Sequence, residues 1–267
     1  MRPSTSPRTR SPSRRSSGPP SDAVTESPEA VPLAGGRVAA GVARVGDVVH
    51  RPAGAGSDFM AALLLLLEER GFTGAPRYLG RSAGADLLSY LPGDVPARFQ
   101  TWSDAQVAAA AALLRAMHDA TRGSALAGRF DVVCHHDPGP NNAVFRDGVP
   151  VAFIDFAEAA PGGRLEDVAY LAWTWAVASQ RTVPVRRQAE QVRLVADAYG
   201  LEPAERAVLV DCILERQSRN VRFWTEFPAR AGAAAATAAE IGERIAWSRR
   251  EHAFTHAHRE VFDAALA

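Results

Sequence analysis

Large apolar side chains are almost absent from residues 1–28, where arginine, serine and proline dominate instead. Such a stretch buries too little surface to offset the entropy of ordering, so a disordered tail is expected there, and it is assigned no function. From Gly36 to Arg51 short valine-rich runs are punctuated by Gly41 and by the tight-turn pair Gly46-Asp47, the pattern of a small antiparallel sheet. Ser57 to Arg70 carries an unbroken leucine run, with Ser57 or Asp58 at its start and Gly71 just past its end. These are the marks of a capped helix, and the leucine run predicts burial on most sides. Ala75–Leu79 and Ala85–Leu91 read as two further strands, ended by Pro92-Gly93-Asp94.

Beyond that break the apolar period changes. Val107, Ala111, Leu114 and Met117 or His118 fall on one stripe of an amphipathic helix over Asp104–Thr121. Helical patterns recur over Arg164–Ser179, Pro184–Tyr199, Pro203–Trp224 and Ala231–Ala265, with Gly200 and Pro228 as breaks. Short strands at Val132-Val133, Ala143–Phe145 and Val151–Ile154 lie between the first two of these long helices, with Asp147-Gly148 as a hairpin turn. The prediction is an α+β chain of two lobes. A small antiparallel sheet with one helix spans 29–93, and a mainly helical lobe spans 94–267.

A chain of 267 residues with 47% hydrophobic and 22% charged content can bury a sizeable core. The formal charge is zero, which supplies no global field for nucleic acid or an anionic membrane, so neither is expected as a partner. The longest apolar run, Phe59–Leu67, falls far short of the roughly 20 residues of a membrane span. Two isolated cysteines, Cys134 and Cys212, form no disulfide framework, and a cytoplasmic location is expected. Lysine is absent altogether, so any cation required at a phosphate is an arginine.

Polar groups concentrate in Val132–Phe156 (VVCHHDPGPNNAVFRDGVPVAFIDF). His135, Asp137 and Asn142 have the HxDxxxxN spacing of a kinase catalytic loop, and Asp155 follows between Ile154 and Phe156. Phosphoryl transfer needs alignment of a hydroxyl and neutralisation of developing charge more than covalent help, so one carboxylate and two oxygen ligands suffice. On this reading Asp137 is the catalytic base, and Asn142 and Asp155 are ligands of Mg²⁺. His135 belongs to the same catalytic loop, as the residue that organises it by bonding backbone near Asp155. Asp, Pro, Gly and Asn also form ordinary turns, and the loop alone reads equally well as one. Asp155 decides for a site, because a charge ending an apolar strand is costly unless used.

The segments VVCHHDPGPNNAVF and IDFAEAAPGGRLEDVAY resemble the aminoglycoside phosphotransferase and choline kinase group of the protein-kinase-like fold, and most of all its bacterial phosphotransferase enzyme family branch. The resemblance runs from about Gly35 to the last helices. It implies a bilobal kinase-like fold with ATP or GTP and Mg²⁺ between the lobes. It further implies transfer of the terminal phosphate to a hydroxyl of a small-molecule alcohol. Asp137, Asn142 and Asp155 match the family's base and metal ligands. Asp167 matches an aspartate that braces the catalytic loop, although an acid in a helix's first turn is also favoured by the dipole alone.

Several positions depart from that pattern. Ala157 and Glu158 stand where a second aspartate is common, and Pro138 replaces a leucine. The family's strand lysine is missing; Arg51 is the candidate substitute on the nucleotide phosphates, or else a solvated strand-end arginine. Its helix glutamate partner is missing too, with Asp58 the nearest acid. Ala34–Arg37 or the stretch around Gly41 would be the phosphate loop, or simply a hairpin turn. Ser89 and Leu91 occupy the hinge, where their backbone groups would pair with a purine. For a cationic acceptor, Glu158, Glu166, Glu215 and Glu226 are candidate acids and Trp173, Trp175 and Trp224 candidate faces, although each such residue is more often simply surface or core. His252, His256 and His258 lack a third ligand, so no metal is expected there. The missing lysine and glutamate leave one alternative: a catalytically impaired, nucleotide-binding pseudokinase with a regulatory role.

Overall fold

The computed structural model describes residues 30–33, 41–97, 100–231 and 236–267. The tail expected over 1–28 and the Ala34–Arg37 turn lie outside the described residues. Valine-rich segments separated by tight turns form a five-stranded antiparallel sheet in the order β1-β2-β3-β5-β4. Its strands are β1 (Val31–Pro32), β2 (Ala43–Val45), β3 (Val48–Pro52), β4 (Tyr78–Ser82) and β5 (Ala85–Ser89). The Gly46-Asp47 turn joins β2 to β3 as the sequence predicts. The fourth strand begins three residues later than the Ala75 start expected. The β4–β5 turn is Ala83-Gly84, both at positive φ (50° and 78°), the geometry of a two-residue hairpin loop. Alanine is not a residue that announces such a turn, which is why the observed strand runs on past the expected Leu79 end.

Helix α1 (Ser57–Glu69) packs on this sheet. Its N-cap is Gly56; the Ser57 hydroxyl instead accepts the Gly54 N–H at 2.9 Å. Gly71, just past the helix, is left-handed as expected (φ 74°). Leu63, Leu64 and Leu67 are buried, whereas Leu65 is half exposed, so burial covers one broad face and not most sides.

The rest is mainly helical: α2 (Asp104–Thr121), α3 (Arg164–Ala176), α4 (Val185–Tyr199), α5 (Pro203–Ala231), α6 (Ala238–Ala257) and α7 (Arg259–Leu266). Two of these differ from the sequence reading. Helix α5 runs through Pro228, because a proline in the last turn forfeits one backbone bond without stopping the chain. The terminal helical stretch is divided at His258. Among the described residues no helix is long and apolar enough to cross a membrane.

Four short strands sit between α2 and α3. Strands β7 (Ala143–Arg146) and β8 (Val149–Phe153) form the hairpin expected at Asp147-Gly148. Strand β6 (Val132–Cys134) pairs instead with β9 (Ala160–Gly162), whose Ala-Pro-Gly sequence gives no strand signal. This second pairing draws the loop after β6 against the segment that follows Asp155.

One continuous core runs from Met60, Leu63 and Leu67 of α1 through Leu114 and Met117 of α2 to Trp173 and Trp175 of α3. The sheet part and the helical part are also tied by backbone: Asp94 and Phe145 exchange bonds at 2.9 and 2.8 Å. Gly93 makes this approach possible, since its φ is +147° and a Cβ there would stand 2.4 Å from the Phe145 carbonyl oxygen. Gly93→Ala is therefore expected to lower stability by about 1–3 kcal/mol, the usual cost of such backbone strain. Urea melts of both proteins check this, and an unchanged midpoint would contradict it.

Candidate functional site

The loop after β6 is held by a buried carboxylate. Asp167, in the first turn of α3, accepts the backbone N–H groups of His135 at 2.6 Å and His136 at 2.8 Å. His118 Nε2 on α2 bonds the same carboxylate at 3.1 Å, and His118 Nδ1 meets the Tyr199 hydroxyl of α4 at 2.7 Å. Asp167 and His118 are fully buried. Burial alone would raise the Asp167 carboxyl; the His118 bond and the neighbouring histidines outweigh it and hold it at about 2. Two backbone donors act in the same direction, because they bond only the ionised acceptor well. The bracing expected of Asp167 is thus what the geometry contains. His118, read from the sequence only as part of an apolar stripe, belongs to the same network.

His135 is also fully buried, and burial lowers its pKa, so the ring is neutral. Its partners fix the tautomer: Nε2–H donates to the Ile154 carbonyl at 3.0 Å, while Nδ1 accepts the Asp137 N–H at 3.3 Å. The ring lies against Phe153 and Phe156. His135 therefore ties the loop to the strand end that carries Asp155, and acts as a positioning group. His136 is left-handed (φ 65°), bonds the Glu158 carbonyl through Nδ1 at 3.0 Å and faces the cleft.

Asn142 and Tyr170 both donate to Asp137. Asn142 Nδ2 donates to its Oδ2 at 2.8 Å and to its carbonyl at 3.0 Å, and the Tyr170 hydroxyl donates to Oδ1. Tyr170 was missed in the sequence, although it stands one helical turn after Asp167 and so shares its face. Because the Asn142 amide nitrogen is committed to Asp137, its Oδ1 is turned the other way and accepts from Asn141 Nδ2 at 3.1 Å. Asp155 is left-handed (φ 63°), and its carboxylate is about one-third exposed. Asn142 and Asp155 both line the junction of two cavities. An amide oxygen and a carboxylate at one junction are the donors a hard divalent cation takes, so these residues fit Mg²⁺.

Arg51 on β3 reaches this junction. Its Nη2 lies 3.8 Å from Asp155 Oδ1, and its guanidinium is largely covered. On the α1 side it meets not an acid but the Met60 sulfur at 3.7 Å. The neighbouring acid comes from the sheet: Asp86 of β5 is the register partner of both Arg51 and Arg81. It is fully buried and accepts from Arg81 Nε at 2.7 Å. A search restricted to the helix could not find it. Asp58, the nearest helix acid, pairs with Arg81 instead, at 3.0 Å.

The first cavity, of about 330 Å³, is a largely apolar slot. Val42, Val49 and Leu88 come from the sheet, Val144, Ile154 and Phe156 from the other side, and Ser89–Leu91 form its edge. The Ser89 N–H is committed to the Arg77 carbonyl at 2.9 Å, and among the described residues the Leu91 N–H makes no backbone bond. Gly41 is left-handed, with a Cβ position beside Pro52, and residues 34–40 before it lie outside the described residues.

The second cavity, of about 360 Å³, opens on Asp137 and is lined by Tyr170, Glu158, Glu226, Trp224 and the arginines Arg216, Arg219, Arg222 and Arg244. Several candidates for holding a cationic acceptor lie elsewhere or are engaged. Trp173 and Trp175 are core residues, with Trp175 Nε1 donating to the Pro138 carbonyl at 3.0 Å. Glu166 pairs with Arg219, and Glu215 with Arg222 at 2.7 Å. The arginines were missed because on the page of the sequence they look like an ordinary solvated helix face.

The sequence profile of the phosphotransferase enzyme family (APH) matches residues 124–209. The trifolitoxin immunity protein of Rhizobium leguminosarum bv. trifolii is 30% identical over 262 residues, covering 87% of this chain and 97% of that protein. Among solved structures, the gentamicin complex of APH(2″)-IIa superposes with a TM-score of 0.57 at 14% identity, covering 89% of this chain and 94% of the other. A choline/ethanolamine kinase family protein from Mesorhizobium loti gives 0.55 at 17% identity, with 84% and 88% covered. Spectinomycin phosphotransferase APH(9)-Ia, in complex with ADP and spectinomycin, gives 0.57 at 11% identity, with 82% and 88% covered. The fold is thus the bilobal α+β protein-kinase-like one.

The Asp167 network has a pH signature. A carboxyl depressed from 3.8 to about 2 contributes stability above pH 3.8 that is lost as pH falls through its folded value. The contribution is about 2 kcal/mol. Asp167→Asn should be less stable near neutrality and lose less on acidification over that window than the unaltered protein. Urea melts across the window test this, and parallel pH profiles would contradict it.

Proposed function

Because the chain belongs to the phosphotransferase enzyme family, we propose that it moves the terminal phosphate of an ATP-type nucleotide to a hydroxyl of a small molecule. The observation that carries this reading is the junction of the two cavities. An apolar slot suited to a purine and an open cleft meet at Asn142 and Asp155, with Asp137 on the cleft side. That arrangement supports a nucleotide base in the slot, with Ser89 and Leu91 backbone groups at its edge, and an acceptor alcohol in the cleft.

Asp137 is the proposed base. In the transfer the acceptor oxygen forms a bond to the terminal phosphorus, the bond to the nucleotide's bridging oxygen breaks, and the acceptor's proton passes to Asp137. Asn142 and Tyr170 hold that carboxylate in one orientation, which a proton acceptor requires. Asn142 and Asp155 would hold Mg²⁺, which offsets charge on the phosphate oxygens when bound. Arg51 would supply the sheet's cation toward the phosphates; its approach to Asp155 supports an intact site over an impaired one.

Asp137→Asn should reduce phosphate transfer by about 100- to 10,000-fold while leaving nucleotide affinity nearly unchanged. Product formation followed by ³¹P NMR and binding followed by calorimetry report the two effects separately. Full activity of this variant would remove Asp137 from the role. Arg51→Ala should instead weaken Mg²⁺-nucleotide binding by about 10- to 100-fold, the loss of one charge-assisted contact. Unchanged nucleotide affinity would leave Arg51 a structural residue.

A further inference from the structure

The cleft on the acceptor side of Asp137 has an unusual charge pattern for holding a cation. Arg216, Arg219 and Arg222 recur at i, i+3 and i+6 along α5, and Arg244 of α6 joins them. Besides Asp137 and Asp155, its carboxylates are Glu158 and Glu226. Arg219 and Arg222 are held by Glu166 and Glu215. Arg216 is held differently. Its Nη2 donates to the His136 carbonyl, and its guanidinium carbon stands 4.7 Å from the centre of the Tyr170 ring. Among the described residues no carboxylate lies within 4.0 Å of it. The Tyr170 hydroxyl in turn bonds Asp137. Among the described residues, a partly buried guanidinium without a counter-anion therefore sits one side chain away from the proposed base.

A guanidinium in that state favours a carboxylate or phosphate, which it bonds through a charge-assisted fork. A cationic group brought to Arg216 would meet like charge there, and like charges face to face disfavour binding. Resting on the phosphotransferase reading above, we infer that the acceptor is an anionic hydroxyl compound, with a carboxylate or phosphate group bound by Arg216 and its hydroxyl directed to Asp137.

The test uses the full chain and acceptors that share a scaffold and differ in charge. Glucose, glucuronate, glucose 6-phosphate and glucosamine form one set; glycerol, glycerate and glycerol phosphate form another; gentamicin serves as a polycation. Binding is measured by calorimetry, with and without Mg²⁺ and a non-hydrolysable ATP analogue. At least one carboxylate or phosphate member should bind tenfold or more tightly than its neutral parent and its ammonium counterpart. Arg216→Gln should weaken that binding by about 10- to 100-fold with nucleotide affinity unchanged. Arg216→Lys, which keeps the charge and loses the fork, should fall between them and guards against a fold defect in the first variant. Preference for a neutral or ammonium member, no binding by any anionic member, or an effect of Arg216→Gln on the nucleotide alone would each overturn the inference. Failure of the unaltered protein to bind nucleotide would instead sink the phosphotransferase reading, and the binding series without nucleotide would still decide the charge of the ligand.

Discussion

The buried carboxylate of Asp167 is the point on which this structure's candidate site is hung. It is satisfied by two backbone N–H groups of the loop after β6 and by a histidine from α2. A buried charge is tolerated only when its bonds are complete. The sequence therefore has to deliver the loop, α2 and α3 to one point, and Tyr199 brings α4 to it through His118. Once the loop backbone is fixed at His135 and His136, the directions of Asp137 and Asn142 follow from the chain between them. Tyr170, one turn further along α3, then completes the Asp137 environment.

The second half of the site is built on the sheet by different means. Arg51 is placed by strand register, not by an acid on the packed helix. Its acidic neighbour, Asp86, lies across from it on β5. Met60 fills the α1 side. A guanidinium is larger than an ammonium and offers a planar fork, so a neighbour in the same sheet and an apolar contact from the helix suit it.

Much of this was legible in the sequence where one residue type has one physical use. Gly46-Asp47 and Asp147-Gly148 announced their hairpins, and the stripe of α2 announced its buried face. The loop from His135 to Asn142 and the Asp155 that ends an apolar strand were singled out together, and the fold brings them to one place. What escaped was set by partners distant in sequence. Strand β9 is Ala-Pro-Gly and exists only because β6 lies beside it. Ala83 adopts positive φ because the β4–β5 register demands it. His118 looked apolar by position, and its role depends on a carboxylate 49 residues away. The arginines of α5 went unremarked because nothing local reveals that a cleft opens over them.

We propose that the two cavities meeting at Asn142 and Asp155 hold a nucleotide and its acceptor, with transfer occurring over Asp137. The most direct measurement is a crystal structure of the full chain with Mg²⁺ and a non-hydrolysable ATP analogue. The base should lie between the sheet and Phe156 at Ser89–Leu91, the metal on oxygens of Asn142 and Asp155, and the terminal phosphate facing the cleft beside Asp137. A nucleotide that leaves that junction vacant, or that binds with its phosphates directed away from Asp137, would contradict it.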